Sequence, residues 1–158
     1  MDASMTILAA YKPSAAGEAV LAAAKAEARL RKSDLLIVRH VKRERESAVP
    51  LAVHQAPSDR PQARDEAGQD VSKLREEMEA LSSSIKGQGI DCEAVLLDEG
   101  DDHAEPILEL ARRAPVDLIV VGVRRRSRVG KAILGSESQR ILLEADCPVL
   151  AVKASTPS

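Results

Sequence analysis

Residues 116–142 read VDLIVVGVRRRSRVGKAILGSESQRIL. An apolar run from Asp117 to Val121 meets Gly122, a basic run follows, and Gly135-Ser136 then opens a segment of helix-favouring residues. The order is strand, loop, helix. The strand shows no alternation of polar and apolar residues. A continuous apolar run of this length is the pattern of a strand buried on both faces, as in parallel sheets covered by helices.

The same unit recurs outward from this stretch. Downstream, a helix over 137–145 leads to the apolar run 148–152, PVLAV. Upstream, residues 5–11 (MTILAAY), 34–41 (DLLIVRHV) and 91–97 (DCEAVLL) read as three more buried strands. Helices separate them. Ala16, Val20, Ala24 and Ala28 recur every fourth residue and give one small-residue face that can lie close to a sheet. Val71, Leu74, Met78, Leu81 and Ile85 step by three and four, and Gly87 and Gly89 stop that helix. Gly100-Asp101-Asp102 turns into a helix running to about Ala114. Alternating strands and helices predict an α/β fold with a parallel sheet and helices on both faces. Ligands in such folds sit beyond the carboxyl ends of the strands, where the strand order reverses.

One domain accounts for all 158 residues. Residues 42–69 read as a long polar connection, with Pro50, Pro57 and Pro61, and residues 154–158 as a disordered tail. The net charge of −2 selects no partner class. With no Trp, no Phe and only Tyr11, the chain lacks the stacking platforms of single-strand nucleic-acid binding, so no nucleic-acid partner is expected. No stretch reaches the roughly 20 apolar residues of a membrane span, and the N-terminus has no basic lead into an apolar run. Cys92 and Cys147 form no CxxC pair and are expected as free thiols in a reducing, cytoplasmic setting.

The loop after Gly122 carries the candidate chemistry. The free amides and partial positive charge of the last helix favour an anion at its start. Gly122 and Gly135 would let backbone approach a ligand, and Ser136 and Ser138 offer hydroxyls. Arg124, Arg125, Arg126, Arg128 and Lys131 add positive charge. Each feature also has a plainer reading. Ser136-Glu137-Ser138-Gln139 fits an S-x-x-Q capping box, in which Ser136 caps its own helix. The basic run suits a solvated loop. Glu137 would repel a phosphate placed beside it.

Across residues 5–153 the chain resembles the universal stress proteins of the UspA type. That family has a G-2x-G-9x-G-[ST] loop between a DLIVVG strand and a final CPVLVV-like strand. The corresponding residues are Asp117 to Gly122, then Gly122, Arg125, Gly135 and Ser136, then Cys147 to Val152. Residues 7–24, ILAAYKPSAAGEAVLAAA, are similar to the family's ILVAVDGS opening. Gly100 to Ile107 is similar to its GDPAEAI turn. The resemblance implies a Rossmann-like open sheet of five parallel strands in the order 3-2-1-4-5. It also implies a homodimer through residues 148–152. Some family members bind ATP and others do not. Among those that do, an aspartate after the first strand holds the nucleotide; the matching residue is Lys12, followed by Pro13. Val41 matches a valine that lines the adenine pocket. Gly122, Gly135, Ser136 and Ser138 match the phosphate loop, while its middle glycine is Arg125. Tyr11, beside Lys12, offers a ring that could stack on a base; its plainer reading is a strand-end residue.

These departures imply a weakened ATP site that still takes an anion or a nucleotide phosphate, with Mg²⁺ only alongside a nucleotide. The alternative is a dimeric interaction module that serves client proteins and binds no nucleotide. No nucleophile is set against a base, and no Walker A pattern is present, so an enzyme is not expected and slow ATPase activity is a minor reading. His40 reads as a strand residue, His54 as part of the polar loop and His103 as a turn residue.

Overall fold

A computed structural model describes residues 5–41, 71–98, 103–125 and 132–154. The polar connection expected over 42–69 falls outside these residues, as does the tail after Ala154. The elements run β1 (Thr6–Ala10), α1 (Ala15–Arg31), β2 (Asp34–Val41), α2 (Val71–Gly87), β3 (Cys92–Asp98), α3 (Ala104–Arg113), β4 (Val116–Arg125), β5 (Ala132–Ile133), α4 (Ser136–Glu144) and β6 (Val149–Lys153). Five strands form the parallel sheet, in the order β3-β2-β1-β4-β6. This is the expected 3-2-1-4-5 arrangement, β6 being the fifth strand of the sequence reading. The order reverses at β1, so a crevice opens between the carboxyl ends of β1 and β4.

Side-chain alternation divides the core into two layers. Ile7, Ala9, Leu35, Ile37, Leu118 and Val120 face α1 and α2. Leu8, Leu36, Val38, Ile119 and Val121 face α3 and α4. The central strands β1, β2 and β4 thus bury both faces, which is why their cores are continuous apolar runs. The small-residue face of α1 lies on the sheet, with Val20, Ala24 and Ala28 buried. Ser14 caps this helix by accepting from the Gly17 amide at 3.1 Å, and Lys32 closes it in the left-handed region at φ 56°.

Two glycines fix how closely α1 approaches. A Cβ on Gly17 would stand 1.6 Å from the Lys12 carbonyl oxygen, and one on Gly122 would stand 3.3 Å from Ala16 Cβ and Val20 Cγ2. Gly17 therefore presses the first turn of α1 against the chain leaving β1, and Gly122 lets β4 pass under the same turn.

Two expectations are corrected. Gly122 does not end the fourth strand: β4 continues to Arg125, and Arg124 and Arg125 pair antiparallel with Ile133 and Ala132. Backbone pairing with β5 satisfies residues that sequence alone assigns to a loop, because arginine disfavours neither conformation. Ser136 does not cap α4. Gly135 is the N-cap, with extended backbone (φ −62°, ψ 157°) and its carbonyl accepting from the Gln139 amide at 2.8 Å. Ser136 is the first helical residue and is exposed, one position too late for its hydroxyl to reach back to the amides of the first turn.

Candidate functional site at the carboxyl edge of the sheet

The face on which a side chain emerges decides what can meet at this edge. Leu8 and Ala10 of β1 point toward α3 and α4, and Lys12, two residues on, follows them. On β2 the matching positions are Leu36, Val38 and then His40. On α4, Glu137 stands one turn before the fully buried Ile141, so it faces the sheet from above the strand ends. The three polar side chains converge. Lys12 Nζ lies 2.9 Å from Glu137 Oε2, and His40 Nε2 lies 3.2 Å from Glu137 Oε1. Lys12 is half exposed, whereas the side chains of Glu137 and His40 are 14% and 7% exposed. The close fit of Gly17 against the Lys12 carbonyl holds the lysine backbone in place.

Burial alone would raise the Glu137 pKa. The contacts to His40 and Lys12 outweigh it and hold the carboxyl below its ordinary value. The site therefore carries a stable carboxylate in the first turn of α4, where the helix end favours negative charge. His40 approaches Glu137 off the line that a ring N–H needs. Among the described residues neither of its buried nitrogens completes a hydrogen bond, and its ring meets that of His103 edge-on at 5.8 Å.

The residues singled out from the sequence divide between the two faces. Tyr11 packs with the α1/α2 layer, away from Lys12, and its hydroxyl reaches Glu18 Oε1 at 3.5 Å. Burial and the Glu18 carboxylate push its phenol pKa up. Val41 is buried at the end of β2, on the opposite face from His40. Gly122 has a packing reason of its own against α1, and its carbonyl accepts from Ser138 Oγ at 3.1 Å. Ser138 thus ties the first turn of α4 to β4. Gly135 differs: among the described residues nothing lies within 4 Å of where its Cβ would be, and its φ is open to any residue. Arg125 ends β4, next to Ala132 of β5. The cluster that does assemble, Lys12–Glu137–His40, includes two residues not singled out as binding groups. Counting by twos along β2 from the buried Leu36 and Val38 would have placed His40 beside Lys12.

The universal stress protein family model matches residues 4–153. A universal stress protein of Thermus aquaticus is 35% identical over 148 residues, covering 94% of this chain and 98% of that one. The chain belongs to the universal stress protein family. Solved structures agree with that placement. A universal stress protein from Archaeoglobus fulgidus superposes with a TM-score of 0.65 at 27% identity, over 94% of this chain and 93% of that one. A second Archaeoglobus fulgidus structure, in complex with dAMP, superposes with a TM-score of 0.62 at 24% identity, over 97% and 100% of the two chains. No described helix of this universal stress protein is long and apolar enough to cross a membrane. Among its described residues, no cluster of three His, Cys, Asp or Glu side chains is arranged to hold a metal ion. Cys92 and Cys147 are free, and burial raises both thiol pKa values.

Proposed function

We propose that this universal stress protein is a stress-response binding module that takes an anion or the phosphate end of a nucleotide at the start of α4, with weak discrimination for adenosine. The observation that carries the reading is the Lys12–Glu137 ion pair at 2.9 Å. It fills the position from which a carboxylate after β1 would hold a nucleotide, and it leaves a cation there instead. The phosphate end keeps more of its chemistry. The first amides of α4 follow an open Gly135, and Ser136 is exposed beside them. The dAMP complex of the Archaeoglobus fulgidus relative supports a nucleotide as the ligand class. Arg125, at the end of β4, is the residue we assign to phosphate, because its fork suits two oxygens. Tyr11 and Val41 lie on the other face and are assigned to the base. Mg²⁺ enters only with a bound nucleotide. Free thiols fit a cytoplasmic setting.

Calorimetry with phosphate, tripolyphosphate, ATP and GTP tests this. The expected result is weak, salt-sensitive binding that grows with phosphate number and hardly distinguishes the two nucleotides. Tight ATP binding with adenosine discrimination, or steady ATP hydrolysis, overturns it.

A second reading, an interaction module that binds no nucleotide, draws on the edge of the sheet. Among the described residues β6 pairs only with β4, leaving an edge that carries Val149, Leu150 and Val152. We propose that a second copy covers it as a homodimer. Protein purified without added ligand and denatured would release an adenine nucleotide, seen by mass spectrometry, if the site is filled in cells.

A further inference from the structure

A cation and hydrogen-bond donors converge at this edge of the sheet from three elements. Lys12 comes from the end of β1, His40 from β2, and the amide-rich first turn from α4. The Glu137 carboxylate meets both side chains, with one oxygen on Lys12 and the other beside His40. The geometry points to a tethered competitor. We propose that Glu137 occupies the anion position of this site from within the chain, so that an external phosphate binds only by displacing it.

This inference rests on reading the edge as an anion site and assigns the regulation of that site. Two details support displacement over mere repulsion. Glu137 belongs to the first turn of α4 and already holds Lys12, so an entering anion cannot take Lys12 while the carboxylate stays there. Among the described residues, the His40 ring nitrogens complete no hydrogen bond although the side chain is more than nine-tenths buried. Glu137 Oε1 stands 3.2 Å from His40 Nε2 without completing a hydrogen bond, and a phosphate oxygen arriving in place of the carboxylate could align with that nitrogen. A glutamate can swing out on its side-chain torsions without moving α4, because Ile141 and the Ser138–Gly122 hydrogen bond hold that helix. A tethered group competes at an effective concentration on the order of millimolar or above, so external anions bind only when abundant or polyvalent.

Pyrophosphate titrated by calorimetry into the intact chain and into Glu137→Gln decides the matter. Removing the competing charge should tighten pyrophosphate binding by about tenfold or more. In the unmodified protein, the Glu137 side-chain carboxyl carbon resonance should move as the site fills. Equal or weaker affinity in Glu137→Gln overturns the tethered competitor and leaves the anion site standing. Binding by neither protein overturns both. If the variant does not fold, the unmodified protein still decides: a Glu137 resonance unmoved at saturation overturns the proposal.

Discussion

Lys12 and Glu137 exchange their usual company at this edge, a cation following β1 and a carboxylate opening α4, and each makes the other tolerable. Because the Glu137 pKa is lowered, the pairing adds stability in full above the ordinary carboxylate value of 4.5 and loses it as pH falls through the lowered, folded value. Lys12→Asp inverts this. Two carboxylates would then face each other, costing about 1 kcal/mol at neutral pH after allowance for the half-exposed lysine, and chemical denaturation should show the deficit shrinking in acid. Equal deficits at pH 7 and pH 4 would count against the pairing. Gly17 is the other residue on which the site's geometry depends. An alanine Cβ at this position would stand only 1.6 Å from the Lys12 carbonyl oxygen. Gly17→Ala therefore forces the turn apart and should cost about 3 kcal/mol in urea denaturation, well beyond what a helix otherwise gains from alanine. Sequence conveyed the identity of these residues but not their meeting. A lysine, a histidine and a glutamate spread over more than a hundred positions are joined only by strand order and face, and the open spacing of a helix start gives no sign of which carboxylate turns inward.

At the scale of elements, periodicity was enough wherever burial imposed it. The bounds 34–41 are the same in the sequence reading and in the fold, because the apolar run from Leu35 to Val38 centres that strand. Where backbone pairing rather than side-chain burial sets the boundary, the sequence was silent. The run of β4 past Gly122 is held by its ladder to Ala132 and Ile133, and the start of α4 by the Gly135 carbonyl. Helix α4 is short and anchored narrowly, Ile141 being its one fully buried residue among those described. Ile141→Ala should therefore loosen the helix that carries Glu137, at a cost of about 2–5 kcal/mol. Hydrogen exchange checks this. Amides of residues 139–144 should lose protection before those of α1, and uniform loss across the molecule would contradict the local anchoring.

At the scale of the whole molecule, the parallel sheet, its order and the crevice at β1 follow from alternation together with the family resemblance, and the family follows from the loop spacing and the CPVL strand. Assembly does not, since an edge strand reveals that it needs cover but not what provides it. If a second copy covers β6, Leu150→Lys should shift the sedimentation of the protein from dimer to monomer, or drive it to aggregate; an unaltered dimer would place the contact elsewhere. One further property concerns light rather than affinity. The protein has no tryptophan and a single tyrosine, Tyr11, immediately before Lys12 and with its hydroxyl close to the Glu18 carboxylate. All of its intrinsic tyrosine emission therefore originates beside the site. Emission and its decay should report any event at the end of β1, with no competing fluorophore to subtract, and a change that loosens the phenol from its carboxylate should brighten the whole spectrum.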